Sequence, residues 1–135
     1  MNSSGKKLPD RDVRILGTGS CVPERVLTNQ DLERMVDTSD EWIVTRTGIK
    51  ERRIVDAGTA ASDLAEVAGR RALEAAGLTP ADLDAILVAT VTGDHLFPST
   101  SCLVQARFGA TQAFCMDVSA ACSGFLYGCE TASAF

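Results

Sequence analysis

Cys122 lies in the stretch "DVSAACSGFLYG" (residues 117–128), among residues with almost no bulk. An apolar run ends near Ser119, small residues follow, and a helical pattern begins near Cys122. That order makes a strand-to-helix elbow, which lifts a side chain to the mouth of a site and turns the free N–H groups of a helix start toward it. A free cysteine has a pKa of about 8.5. Reaching half thiolate at neutral pH takes about 2 kcal/mol, which a helix N-terminus in a favourable geometry supplies at most. The same N–H groups can stabilise the oxyanion of a carbonyl attacked by sulfur. Ala120, Ala121, Ser123 and Gly124 leave room for a substrate. The alternative is a buried thiol filling space, since cysteine is among the most buried residue types. Spacing and composition leave both readings open.

The other cysteines are Cys21, Cys102, Cys115 and Cys129. An odd count without a C-x-x-C pair is neither a disulfide framework nor a zinc site, so no metal is expected. These four read as small core residues.

The elements that must position Cys122 follow an α/β order. "VRILGTGS" (13–20) reads as a strand running into a glycine turn. Gly17 and Gly19 could open a dinucleotide loop, but Val22 stands where the third glycine belongs, so a plain tight turn is the reading. "TNQDLERMV" (28–36) reads as a short helix with Thr28 as N-cap and Asp31 completing a capping box. Ser39 caps a second. A helix is expected over 62–76, with Ser62 as cap and Gly77 as its left-handed end. Its charges Asp63, Glu66, Arg70 and Glu74 form one stripe, and Leu64, Ala68, Ala72 and Ala75 another. Thr79 and Pro80 repeat the start signal. "AILVATVT" (85–92) and "AFCMDVS" (113–119) suit strands covered on both faces. "STSCLVQARFG" between them reads as a helix closed by Gly109. The last stretch, "CSGFLYGCETASAF", is apolar or small nearly all round, the mark of a helix buried in a large core. It reaches Phe135 without a capping signal, so the chain reads as truncated inside this helix. Residues 1–12 read as a loose polar N-terminus and 13–135 as one half-domain.

The totals narrow the function. With 45% apolar and 23% charged residues, the composition is that of an ordinary globular domain. A net charge of -5 argues against nucleic acid as a partner. The N-terminus has no apolar segment after its lysines and reads as no signal peptide. No apolar run reaches the roughly 18 residues of a membrane span. A cytoplasmic protein without membrane partners is expected.

"DVSAACSGFLYG" resembles the active-site segment of the β-ketoacyl-acyl carrier protein synthase III family. "ILGTGSCVPERVLTN" (15–29), "MVDTSDEWIVTRTGIKERRI" (35–54) and "FPSTSCLVQARFGA" (97–110) agree in the same order. The segment around Trp42 is the most specific of them. The resemblance implies the N-terminal half of a thiolase-like, five-layered αβαβα fold. It implies an enzyme that begins fatty-acid synthesis: an acyl group, acetyl in the first instance, passes from coenzyme A to Cys122 and is condensed with malonyl-acyl carrier protein, with decarboxylation. Acyl-coenzyme A is then a substrate, and no cofactor is expected. The family works as homodimers, and a C-terminal half of the same protein is an expected partner.

Residue by residue, the resemblance makes Cys122 the acyl acceptor and its backbone N–H part of the oxyanion hole. It matches Trp42 to a tryptophan stacked on adenine, Thr38 to a threonine on the same base, and Arg46 to an arginine near the diphosphate. Without it, Trp42 reads as a core or hinge residue and Arg46 as part of a solvated charged face. Phe97 matches a phenylalanine closing the acyl pocket of the neighbouring subunit; on sequence alone it reads as loop packing. The family completes its site with a histidine and an asparagine from the C-terminal half. The only histidine here, His95, does not match that position. Two other readings stand beside this one. One is a thiolase-fold acyltransferase or polyketide-type synthase using the same cysteine. The other is a non-catalytic half-domain, if the 135 residues are everything.

Overall fold

The computed structural model describes residues 13–135; the expected loose N-terminus, 1–12, lies outside the described residues. The chain builds β1 (Val26–Thr28), α1 (Asn29–Glu33), α2 (Asp40–Thr47) and β2 (Glu51–Arg53). It continues with α3 (Ala61–Ala76), a 3-10 turn (Pro80–Asp82), β3 (Ala85–Ala89), α4 (Thr100–Phe108) and β4 (Phe114–Val118). A second 3-10 turn (Ala121–Ser123) leads into α5 (Gly124–Ala134). The α/β reading holds.

Packing falls into two groups. In the first, β1 pairs antiparallel with β2, from Val26 opposite Arg53 to Thr28 opposite Glu51. Thr28 caps α1 in a capping box with Asp31, and Ser39 caps α2 through the Trp42 amide. Gly48 closes α2 at φ 71°, where glycine carries no Cβ penalty. Asn29, fully buried, joins the pieces. Its amide group donates to Asp40 Oδ1 at 2.7 Å and to the Ile49 carbonyl at 2.8 Å, and its oxygen accepts from Arg52 at 2.6 Å. All its hydrogen-bonding groups are satisfied, as burial demands.

In the second group β3 and β4 are parallel, Ala85 opposite Phe114 and Ala89 opposite Val118. Side chains alternate across a strand. Ile86 and Val88 therefore face Val104 and Phe108 of α4; Ile86, Val104, Ala110 and Ala113 form the buried cluster, with Val88 and Phe108 packed partly buried against it. Ala89 faces the other way, toward Gly124 of α5. Asp63, Glu66 and Arg70 of the charged stripe of α3 lie against α4. Arg107 pairs with Asp63 at 2.8 Å, and Arg70 pairs with Glu66 at 2.9 Å and donates to the Arg107 carbonyl.

Several sequence expectations change. Residues 13–20 form no strand, since nothing among the described residues pairs with them. They lie against α3, where Arg71 donates to the Ser20 carbonyl. Gly17 and Gly19 are there for close approach: a Cβ on either would collide with α3 backbone at Ala72 or Ala68. The helix expected over 28–36 stops at Glu33, and the 85–92 strand stops at Ala89, where its partner β4 ends. Ser62 does not cap α3. Ala60 holds that place, its amide donating to the Asp63 carboxylate at 2.7 Å, and Ser62 is buried two residues further in. Helix α5 is not enclosed among the described residues: Phe125, Leu126 and Tyr127 are exposed, and Gly124 alone is buried. No helix of the described residues is long and apolar enough to cross a membrane.

Candidate active site

Because β3 and β4 are parallel, the loop after β3 and the elbow after β4 emerge at one edge of the sheet. The Thr90 amide still donates to the Val118 carbonyl there, extending the ladder by one bond. In open parallel sheets this edge, beyond the carboxyl ends of the strands, is where ligands bind.

The elbow is tight and strained. Ala121 has φ 44°, a left-handed conformation that costs a residue with a Cβ of order 1–2 kcal/mol. The next residue is Cys122. The 3-10 bonds of the turn run from the Ser123 amide to Ala120 and from the Gly124 amide to Ala121. The Cys122 amide comes before both, at the position of an orphan donor in a helix start. Helix α5 begins two residues after the cysteine.

Exposure separates the cysteines. Cys122 and Cys129 are exposed; Cys21, Cys102 and Cys115 are partly buried. The expectation that Cys129 sits in a core does not hold among the described residues, since the outer side of α5 is open. Cys102 accepts a hydrogen bond from the Ser99 hydroxyl at 3.1 Å. Burial, then the adjacent Cys102, pushes the Cys115 thiol up, so it stays neutral. Cys129 lies mid-helix, away from any chain end that could offer free N–H groups. Cys122 alone among the five combines exposure with the elbow.

Thr38, Trp42 and Arg46 come together in the first group. Trp42 is 55% exposed, which overturns a core placement, and its indole forms the ridge between two open hollows. One, about 550 Å3, is lined by Val36, Asp37, Thr38 and Ser39 with Trp42. The other, about 350 Å3, is lined by Ser39, Glu41, Thr45 and Arg46 with Trp42. The Arg46 guanidinium carbon sits 4.9 Å from the ring centroid, a cation–π contact worth about 0.5–1 kcal/mol at an exposed site. The α-helical spacing of four residues produces it. An aromatic face, a hydroxyl and a guanidinium thus line neighbouring hollows, a set suited to a base and a phosphate.

Phe97 stands in the loop between β3 and α4 and is 90% exposed, so it is not loop packing. His95 is exposed in the same loop. Two aspartates that sequence reading passed over organise this edge. Asp117 on β4 accepts the Thr100 and Ser101 amides at 2.8 Å each, capping α4. Asp94 accepts both the amide and the hydroxyl of Ser62 in α3. For each carboxyl, burial raises the pKa, but the hydrogen bonds outweigh it and hold the group below the ordinary carboxylate range. Signals at the sequence level were faint. Asp94 and Asp117 lie 32 and 17 residues from the donors they serve.

No family model matches the chain. Curated relatives do. It is 64% identical over 121 residues, 90% of its length, to the β-ketoacyl-[acyl-carrier-protein] synthase III of Caldanaerobacter subterraneus subsp. tengcongensis, of which it covers 37%. A solved 3-oxoacyl-[acyl-carrier-protein] synthase III from Aquifex aeolicus superposes with TM-score 0.86 at 53% identity, covering 90% of this chain and 39% of that one. The chain is similar to the β-ketoacyl-acyl carrier protein synthase III proteins. It spans a little over a third of the length of the curated synthase III relatives it matches. A further solved structure, the priming β-ketosynthase of the R1128 polyketide pathway, superposes with TM-score 0.85 at 38% identity, covering 96% of this chain and 39% of its own. The α/β fold described above is therefore part of the synthase III fold.

Proposed function

We propose that this chain supplies the nucleophile and part of the coenzyme A site of a condensing enzyme that initiates fatty-acid synthesis. The observation that carries the reading is Cys122, exposed on a strained strand-to-helix elbow at the carboxyl edge of a parallel sheet. The Cys122 thiolate attacks the carbonyl of acetyl-coenzyme A; the carbon–sulfur bond to coenzyme A breaks, and the departing thiolate takes a proton. In this reading the amide of Cys122 binds the carbonyl oxygen as charge develops on it. In the second half-reaction malonyl-acyl carrier protein loses carbon dioxide, its carbon attacks the thioester, and the Cys122 thiolate leaves. Covalent catalysis of this kind divides one difficult transfer into two easier ones.

Trp42 is read as the platform for adenine, Thr38 as a contact to the same base, and Arg46 as the partner of the diphosphate. Phe97 is read as closing the acyl pocket of a second copy, in a cytoplasmic homodimer completed by a C-terminal half. Its exposure supports a role outside its own chain's packing. Acyl-coenzyme A is a substrate in this reading, and no cofactor is required.

Intact-mass spectra of the purified protein, before and after acetyl-coenzyme A, test it. One acetyl adduct is expected, absent from Cys122→Ala. An unmodified protein after incubation with acetyl-, butyryl- and hexanoyl-coenzyme A overturns the reading. A second reading, priming of a polyketide rather than a fatty acid, is favoured by the likeness to the R1128 priming synthase. It predicts an acyl adduct on Cys122 but condensation with a polyketide carrier protein in preference to the fatty-acid one.

A further inference from the structure

A continuous line of hydrogen bonds runs from the first turn of α3 to the strand that feeds the elbow, passing through the loop that carries Phe97. Asp94 stands in the middle of it. Its Oδ1 accepts the Ser62 amide at 2.9 Å and its Oδ2 the Ser62 hydroxyl at 2.5 Å. The Asp94 amide donates to Thr100 Oγ1 at 3.3 Å. The Thr100 amide donates to Asp117 Oδ2, and the Ser101 amide to Asp117 Oδ1. Ser62, Thr100 and Ser101 are all fully buried. Five residues after Asp117 comes Cys122.

The far end of the loop is held by Ser99, the cap of α4, and the near end by Asp94. Leu96 and Phe97 project into solvent and contribute almost no packing. Gly93 lies so close to the link that a Cβ there would stand 2.8 Å from Thr100 Oγ1. The loop is therefore seated by its polar anchors, Asp94 three residues before Phe97 and Ser99 two after it, rather than by its apolar side chains.

We propose that Asp94 is a positioning residue that fixes where Phe97 stands as it reaches the second copy, and thereby which acyl chain lengths that copy's pocket accepts. The inference rests on reading Cys122 as the acyl acceptor and Phe97 as a wall of an acyl pocket. Asp94 touches no substrate; it acts through the loop. Removing the Asp94 carboxylate, or weakening its hold by removing the Ser62 hydroxyl, loosens the loop, moves the phenyl ring, and changes the length of chain the pocket admits. Pocket contacts of this size discriminate one methylene by about ten-fold or more.

The test compares kcat/KM for acetyl- and hexanoyl-coenzyme A in wild type, Asp94→Asn, Ser62→Ala and the double variant. Each single variant is expected to shift the ratio of the two values about five-fold or more, in the same direction. The double variant should go no further than about two-fold beyond either, because both substitutions break one link. Partial unfolding scales both substrates alike and leaves the ratio unmoved, so it does not mimic this result. Ser62→Ala loses one hydroxyl only and carries the test if Asp94→Asn fails to fold. A smaller shift in the folded single variants, with Cys122 still acylated in wild type, overturns the role of Asp94 alone. Absence of acylation in wild type with either thioester overturns the function on which it rests.

Discussion

Trp42 shows how a residue's surroundings revise its reading. An isolated tryptophan in a sequence suggests a core, and here the indole is a ridge with hollows on either side and Arg46 laid over it. If adenine stacks on the remaining face, Trp42→Ala removes about 1–3 kcal/mol of stacking. The expected outcome is a rise of about ten-fold in KM for acetyl-coenzyme A with kcat nearly unchanged, and a much smaller rise for Trp42→Phe. Steady-state kinetics decide it; an equal fall in kcat and kcat/KM would place Trp42 in the chemical step instead. At this scale the sequence was legible where chemistry is local. Cys122 stands out because small residues and a change of periodicity surround it within a few positions. Asn29, Asp94 and Asp117 did not stand out, because what each does depends on partners between 11 and 32 residues away.

Among the elements, capping signals were the reliable guide. Thr28 with Asp31, Ser39, Gly77 and Gly109 each end or begin a helix where their chemistry dictates. The failure at 13–20 has an equally physical origin: an apolar stretch with glycines fits a strand pattern, but a strand exists only if another pairs with it. Ser62 does not cap because the N-cap of α3 lies two residues earlier, at Ala60, and its hydroxyl donates to Asp94. The acid-capped helix starts also set a pH response. Asp94 and Asp117 titrate below the ordinary carboxylate value, so the stability they add is full above that value, about 4, and is lost as pH falls through their depressed pKa. Urea midpoints are expected to be flat from about pH 7 to 5 and to drop below about pH 4. Asp117→Asn should cost about 1–3 kcal/mol at pH 7, the scale of charged hydrogen bonds to helix amides, and should flatten the acid limb. An acid limb identical to wild type would assign the drop to other groups.

At the scale of the whole molecule, the first group of elements hangs on one buried side chain. Asn29 links α1, α2 and β2 with three side-chain hydrogen bonds. Asn29→Ala leaves Asp40 and Arg52 without their partner, and a loss of roughly 2–4 kcal/mol in unfolding free energy is expected. Circular dichroism with urea measures it; a loss under about 0.5 kcal/mol would mean that the group holds together by other contacts. The α/β order itself was readable from alternating strand and helix patterns, while the open side of α5 was not, since an apolar helix reads the same whether or not something covers it. The non-local acids have a consequence for the order of assembly. Helices α3 and α4 receive amide acceptors from a loop and a strand that follow them in the chain. Each also has a local anchor, Asp63 on the Ala60 amide and Ser99 on the Cys102 amide, but the remaining first-turn amides wait for Asp94 and Asp117. Their starts are completed only once β3 and β4 have paired and the intervening loop has closed, a closure whose entropy cost grows with the separation of the residues joined. The elbow at Cys122, downstream of Asp117 on the same strand, takes its shape in that closing step.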